Sequence, residues 1–348
     1  MILDNLVKHT SEWLKGTGPN SDIVISSRIR LARNLENIPF PQWADKKQAQ
    51  GVLEEVFKAS SRVDFLKNTL MLKMADLNNL DKQFLIERHL ISREQAMKVD
   101  SKGIVVDQEE IISIMINEED HLRTQVIRSG FDLFEAWNII NQIDDLLSSK
   151  LNFAYSDELG YLTACPTNTG TGMRGSVMLH LPALVITMQI NKILSAVSKL
   201  GFTTRGLYGE GTQAQGNFFQ ISNQVSLGQN EEGIIDKLNG LIRQVIEQEE
   251  QARKLLINQK KAFLEDRIGR SLGILKSAYI ITSQETTELL SWVRLGCDLG
   301  IISNLDRVKI NELFILIQPA HLQKLEGRIL DHGQRDVKRA SIIREKLK

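Results

Sequence analysis

The sequence predicts an α+β fold: a largely antiparallel sheet flanked by helices over residues 1–255, then a small all-α domain over 256–348. Three observations predict it. Short β-branched or alternating runs recur up to about Leu227, many of them closed by glycine or by charged residues. Amphipathic helical patterns fall between those runs, and from Ile234 onward only helical periodicity remains. Runs of strands with interspersed helices, followed by helices alone, are the pattern of a covered antiparallel sheet plus a helical unit.

Taken in order, Met1–Lys15 reads as a short amphipathic helix stopped by Gly16, Gly18 and Pro19. Ile23–Arg33 is a strand, Lys46–Lys58 a helix and Thr69–Ala75 a strand. Phe84–Leu90 is a mixed apolar run that holds His89. Gly103–Val106 and Ile111–Ile116 form a hairpin whose second strand runs into the charged stretch Asn117–Arg123. Phe131–Leu151 is an amphipathic helix with Leu133, Trp137, Ile140 and Leu147 on its buried side. Tyr161–Ala164 and Val177–Leu181 read as two strands of a central hairpin. A helix from Pro182 to about Lys199 stops at Gly201. Phe202–Arg205 and Asn217–Leu227 are further strands, and Ile234 to about Leu264 is one long helix. In the helical remainder a capping box is expected at Thr282–Glu285, breaks at Gly296 and Gly300, and a stop at Pro319.

Composition narrows the function. Hydrophobic content of 42% and charged content of 25% are those of a globular protein. Lys+Arg and Asp+Glu balance at 43 each, so no global field argues for nucleic acid or an anionic membrane. Two cysteines, Cys165 and Cys297, give neither a disulfide framework nor a zinc spacing. No apolar run approaches bilayer length, the N-terminus does not read as a signal peptide, and a cytoplasmic location is expected.

Chemistry concentrates at strand ends. The stretch Cys165–Met178 holds glycines and an arginine, suited to phosphate if it is not an ordinary surface hairpin. Arg28 and Arg30 share one face of their strand, which is unfavourable unless an anion lies between them or the strand is a solvated edge. Arg123 and Arg205 close other strands, with Glu119 and Glu210 as candidate carboxylates. Arginines from scattered segments resemble a cage for a polyphosphate, although Walker, kinase-loop and Rossmann patterns are absent. Two carboxylates facing such a cage suit a cationic acceptor, and a guanidinium fits. Its pKa above about 12 makes separate deprotonation at pH 7 cost roughly 7–9 kcal/mol, so a carboxylate must take the proton during transfer. Cys165 is either a thiolate beside that cation or a small buried hydrophobe.

Ser26-Ser27-Arg28-Ile29-Arg30, Asn117–Arg123, Cys165-Pro166-Thr167-Asn168 with Arg174, and Arg205–Glu210 together resemble the phosphagen (guanidino) kinase family. Leu179–Leu184, Arg205–Gly211, Phe219–Gln224 and Arg335–Ala340 bring the resemblance closer to the bacterial protein-arginine kinases of the McsB type. The resemblance implies the guanidino-kinase catalytic fold and phosphorylation of arginine side chains on proteins. It implies ATP binding by Ser26, Ser27, Arg28, Ile29, Arg30, His89, Arg123, Arg174, Gly175, Ser176, Val177, Met178, Arg205, Gly206, Leu207, Tyr208, Gly209 and Glu210. Glu119 and Glu210 would hold the guanidinium, with Glu119 the base and Cys165 beside it, and magnesium would arrive on the nucleotide without a protein ligand. Arg335, Asp336, Val337, Lys338, Arg339 and Ala340 would belong to an allosteric phosphoarginine site, though by themselves they read as a basic terminal helix. Also implied are a homodimer, a stress-response role, and partners that include a heat-shock repressor, an activator protein and a Clp-type unfoldase.

Two departures stand out: Tyr208 replaces a basic residue of the small-substrate kinases, and Gln213 an acid. Only a short helix precedes the paired arginines, where those kinases carry a helical domain that encloses their substrate, so a more open acceptor side is expected. The competing functions are a kinase for free arginine or another small guanidino compound, and a phosphoarginine-binding adaptor with little catalysis.

Overall fold

In the computed structural model, residues 3–7, 9–206 and 215–348 are described. Ten strands occur among them: β1 (Val24–Arg33), β2 (Leu70–Lys73), β3 (Gly103–Val106), β4 (Ile112–Ile116), β5 (Leu122–Ser129), β6 (Tyr155–Ser156), β7 (Gly160–Tyr161), β8 (Met173–His180), β9 (Phe202–Arg205) and β10 (Phe218–Asn223). Eight of them form one sheet in the order β2-β3-β4-β5-β1-β8-β10-β9, antiparallel throughout, while β6 and β7 make a separate small hairpin.

Alternation sorts the side chains of the central strands. Ile29, Val126, Val177 and Ile221 are buried on one face. Helices Leu133–Ser148 and Glu231–Ser277 cover that face, and burying each such side chain contributes about 1.5–3 kcal/mol. Gly175 belongs to the same face: a Cβ there would come within 3.1 Å of Leu238 and 3.3 Å of Ile29. Among the described residues the opposite face is covered at its β2–β4 end, and the turn Glu12–Leu14 brings Trp13 over it beside Ile127. At the β2–β4 end Ile104, Val106 and Met115 pack against Phe84 and Leu85 of helix Asn79–Glu87, and against Ala320 of helix Pro319–Glu326. Over β5, β1, β8, β10 and β9 that face carries polar and charged side chains and opens into a cleft.

Helix Glu231–Ser277 runs through the expected boundary at 255/256, its one non-helical residue being Lys260 (φ −136°, ψ 34°). The later helices Ser283–Asp298, Arg307–Leu316 and His332–Lys346 share the hydrophobic core of the sheet through Leu290, Leu313 and Ile343. Arg294 adds a polar anchor, donating to the carbonyls of Ser21 (2.7 Å) and Asp22 (2.8 Å) just ahead of β1.

Several expectations need correction. The first fifteen residues give a helix only over Asp4–Val7 and a 3-10 turn at Glu12–Leu14. Phe84–Leu90 is the end of a helix, which closes with His89 in the left-handed region (φ 60°). The charged run 117–121 is a turn between β4 and β5, and β5, at the centre of the sheet, was not foreseen. Tyr161 pairs with Tyr155 rather than with the Val177 strand, and β8 starts early enough to contain Arg174. The helix after Pro182 breaks at Met188 (φ 58°), giving Pro182–Ile186 and Ile190–Lys199. Gly296 does not break its helix. It sits where a Cβ would approach Ile268 to 2.5 Å, so the missing side chain permits close packing.

Candidate active site

Register brings the scattered arginines together. Arg30 on β1 stands directly opposite Arg174 on β8 and Gln125 on β5. Arg28 stands opposite Ser176, which stands opposite Ser222, which stands opposite Thr203. Arg205 stands opposite Gln220. Arg123 stands opposite Ala32, one step further along β1. The result is one polar face with five arginines.

Two adjoining cavities lie over it. One, of about 670 Å³, is lined by Arg30, Arg123, Arg174 and Arg205 and also by Glu118, Glu119 and Cys165. The second, of about 320 Å³, shares Arg30, Arg123 and Arg205 and adds Arg28 and His89. A smaller recess holds Ser26, Ser176 and Met178 beside Arg28, His89 and Trp13.

Like charges at this spacing repel, and the arginines register it. Burial first, and then Arg123, Arg174 and Arg205, bring the Arg28 guanidinium down to about 9. Burial and the neighbouring arginines, Arg28 foremost, push Arg30 well below its ordinary value. Among the described residues no carboxylate lies within ion-pair distance of either, and the Arg30 Nε is buried with no hydrogen-bond partner. An array of cations with an orphaned donor fits a polyanion. Arg123 is the contrasting member. Burial opposes its charge, but Glu118, with Oε2 at 2.6 Å and Oε1 at 2.9 Å from Nη1, outweighs that and leaves its pKa raised. Arg174 is steadied by Thr203 (3.2 Å) and Ser222 (3.3 Å).

Glu119 sits on the β4–β5 turn at the edge of the larger cavity. Burial, followed by Asp120, raises its carboxyl pKa, although Arg123 acts in the opposite sense. The turn is tied to the cysteine loop by Asp120, whose Oδ1 accepts from Asn34 Nδ2 (2.6 Å) and from the Ala164 amide (2.7 Å). Cys165 follows at once, half-buried, with its Sγ 3.1 Å from Thr167 Oγ1. His89 packs edge-on against Trp13, and burial together with Arg28 lowers its pKa to about 4, so the ring is neutral at physiological pH.

Not every expected residue reaches the cleft. Ser27 points to the helix face, where Oγ donates to the Gly130 carbonyl (2.9 Å) and accepts from the Asp132 amide (3.0 Å) at the start of helix Leu133–Ser148. Ile29 and Val177 are core residues, and Gly175 packs beneath Leu238. Gly206 is buried directly after Arg205. Leu207, Tyr208, Gly209, Glu210 and Gln213 lie outside the described residues.

Arg335–Ala340 lies on helix His332–Lys346 and lines none of the three cavities. Asp336, Arg339 and Ala340 are buried there. Arg339 donates to the Ile281 and Ile317 carbonyls (2.9 Å each) and pairs with Asp336. Gln42, Glu94, Glu118, Gln125, Ser222 and Gln224 are cleft residues that the sequence did not single out. For Ser222 the signal was available, since it alternates with core residues on an expected strand.

An antiparallel sheet with a polyanion-ready face and a carboxylate on its rim is the frame of a guanidino phosphotransferase. The family described as ATP:guanido phosphotransferase, C-terminal catalytic domain, matches residues 51–252. A taurocyamine kinase of duplicated sequence from Schistosoma mansoni, with bound transition-state-analogue components, superposes with a TM-score of 0.62 at 25% identity, over 68% of this chain and 34% of that one. A lombricine kinase superposes at 0.59, also with 25% identity, over 68% of each chain.

The remaining comparisons are closer. The protein-arginine kinase of Halothermothrix orenii is 51% identical over all of this chain and 99% of its own length. That of Bacillus subtilis is 46% identical over 97% of this chain and 93% of its own. Residues 261–348 match the C-terminal domain of the protein-arginine kinase McsB. The chain belongs to the protein-arginine kinase family of guanidino phosphotransferases. Among the described residues no helix is long and apolar enough to cross a membrane.

Proposed function

We propose that this chain transfers the γ-phosphoryl group of ATP to arginine side chains of proteins, with Glu119 as the base. The observation that carries the reading is the cross-strand pair Arg30–Arg174, placed with Arg28, Arg123 and Arg205 beneath a cavity whose rim bears Glu119. The arginines spread their charge over the triphosphate and need no reorganisation as charge moves to the leaving oxygen. Ile86, His89, Ile91 and Met115 give the cavity of about 320 Å³ an apolar wall beside Arg28, which suits the base of the nucleotide. A guanidino nitrogen attacks the γ-phosphorus, the N–P bond forms, the bond to ADP breaks, and the nitrogen's proton passes to Glu119. Cys165 offers the cation a polarisable neighbour, and Glu210 is assigned the second grip. Magnesium, if carried by the nucleotide, would help neutralise the phosphates, and no residue of this chain is assigned as its ligand.

Residues 256–348 form, in this reading, a C-terminal unit for dimerisation and for binding phosphoarginine at Arg335–Ala340. A cytoplasmic role in marking stress-damaged proteins for a Clp-type unfoldase fits it, with a heat-shock repressor among the substrates and an activator protein as a partner. The test is direct. Incubation with ATP and an unfolded arginine-rich protein should give acid-labile, base-stable phosphate on arginine. Phosphorylation of free arginine alone, with none on protein, would overturn the reading in favour of a small-molecule kinase.

A further inference from the structure

The lip that separates the two cavities carries a carboxylate with no assigned role. Residues 92–97 form a turn after His89, and it is braced on several sides. Ser92 Oγ donates to Glu118 and accepts from the Gln95 amide (3.0 Å). The Gln95 side chain donates to the Gly103 carbonyl on β3 (2.7 Å) and to the Ile116 carbonyl on β4 (3.2 Å). Lys102 Nζ donates to the carbonyls of Glu94 (2.7 Å) and Met97 (3.0 Å), and its charge also feels the Glu118 and Glu94 carboxylates at longer range. A turn fixed this way presents its side chains from a rigid base, which lowers the ordering cost of any contact they make.

Glu94 sits on this base, exposed, and lines both cavities, whereas its neighbour Arg93 lines only the nucleotide side. Among the described residues no cation lies within ion-pair distance of the Glu94 carboxylate. Its negative charge is felt by Glu119, together with that of Asp120 and Glu118. Arg123 offsets Glu118 and part of the charge of Glu119, but Glu94 makes no close ion pair among the described residues, so an entering cation gains an attraction there that is not already saturated.

We propose that Glu94 is an acceptor-specificity residue: it contacts the cationic side chain of the protein substrate at the mouth of the larger cavity and selects for positive charge there. The inference rests on the proposed function and deepens it, because the acceptor class, a cationic polypeptide side chain, is what this carboxylate recognises. The contact is long-range and partly solvated, so it acts on capture of the acceptor more than on the chemical step.

The experiment uses the full chain, with ATP and an arginine-containing peptide, over a range of salt. Wild-type phosphorylation of the peptide is scored first, and failure there overturns the proposed function rather than the role of Glu94. Glu94→Gln should then raise KM for the peptide about 5–20-fold, with KM for ATP changed less than twofold. Glu94→Lys should raise it further, and Glu94→Asp should recover part of the loss. Raising the salt from about 0.05 to 0.5 M should narrow the gap between wild type and Glu94→Gln, since screening shortens the reach of the exposed charge. An unchanged peptide KM in both Glu94→Gln and Glu94→Lys, or an equal rise in the KM for ATP, overturns the proposal.

Discussion

Arg30 and Arg33 lie on the same strand and differ in everything but side-chain type. Arg33 is buried and fully engaged: it donates to Asp144 (2.8 and 3.0 Å) and to the Ala32 and Thr171 carbonyls (2.9 Å each), and Tyr161 stacks 3.5 Å from its guanidinium carbon. Arg30 faces Arg174 across the strand pair and, among the described residues, its charge is opposed by burial and by four other arginines, Arg28, Arg123, Arg174 and Arg205. The difference teaches how to sort the buried cations of this protein. One whose acid and carbonyls are built in is scaffold, and one surrounded by its own kind is, on the proposed function, a ligand contact. Arg294 and Arg339 fall with Arg33, while Arg28 falls with Arg30.

The largest effect should come from the acid that the basic face serves. Glu119→Gln is expected to lower the rate of protein phosphorylation by about 10²–10⁴, the usual range for loss of a positioned base. Wild-type activity should rise with pH along an acid limb, because the base must be ionised. That limb should lie above the ordinary carboxylate value of 4.5, since the Glu119 pKa is raised by burial and by Asp120. The limb should vanish in the variant. A Glu119→Gln protein that labels substrate at the wild-type rate removes the catalytic assignment.

Next comes the scaffold side of the comparison. Arg33→Met leaves Asp144 buried without its cation, which typically costs about 3–5 kcal/mol, so thermal melting should fall by many degrees. Arg30→Met should do the reverse. It relieves repulsion, so the melting temperature should hold or rise, while the phosphorylation rate drops by about 10²–10³ for want of a phosphate donor. ATP should stabilise the wild type against heat far more than this variant. If the two substitutions destabilise the fold equally, the sorting rule fails.

A smaller effect is expected from pH. His89 is neutral in the fold, with its pKa lowered from 6.5 to about 4 by burial and by Arg28. A basic group depressed in the folded state binds its proton more readily when unfolded. Its contribution to stability is therefore complete above pH 6.5 and is lost as pH falls towards 4. His121, held between the Leu35 amide and the Pro39 carbonyl, is also lowered to about 4 and titrates in the same window. Melting curves between pH 7 and 4 should flatten in His89→Phe. A slope identical to wild type would count against the neutral ring.

How much of this was legible beforehand follows the range of the interaction concerned. The strand carrying Arg28 and Arg30 announced itself because β-branched residues led into it and its period was two. β5 did not: Thr124 and Arg128 are polar on its core-facing parity and Ile127 is apolar on its cleft-facing one, which blurs the alternation that marks a strand. The loop-like look of Cys165–Met178 hid the fact that Arg174 is a strand residue, because its position depends on pairing with β1 and β10 across long stretches of chain. Single-residue roles were least legible. Ser27 and Ile29 look equal to Ser26 and Arg28 in the string of letters, and only the pleat assigns them to opposite faces. Glu94 gave no signal at all, since nothing local distinguishes it from a solvated acid.

The least effect is expected at the C-terminal motif, where the same comparison recurs within one helical turn. Arg339 is built into the fold by two carbonyls and Asp336, whereas the side chain of Arg335 is only half-buried. Arg335→Ala should leave the melting temperature within about a degree, as surface substitutions away from networks usually do. If residues 335–340 bind phosphoarginine, it should nonetheless weaken binding of the free phosphoamino acid, measured calorimetrically, by about tenfold or more. Arg339→Ala should weaken binding too, but only together with a loss of stability, because buried Asp336 then keeps only the exposed His332 as a partner. The two variants separate a ligand contact from a support. A stable Arg335→Ala protein with undiminished phosphoarginine binding would place both arginines of the motif on the scaffold side, and the cleft would remain the proposed home of ligand-facing arginines.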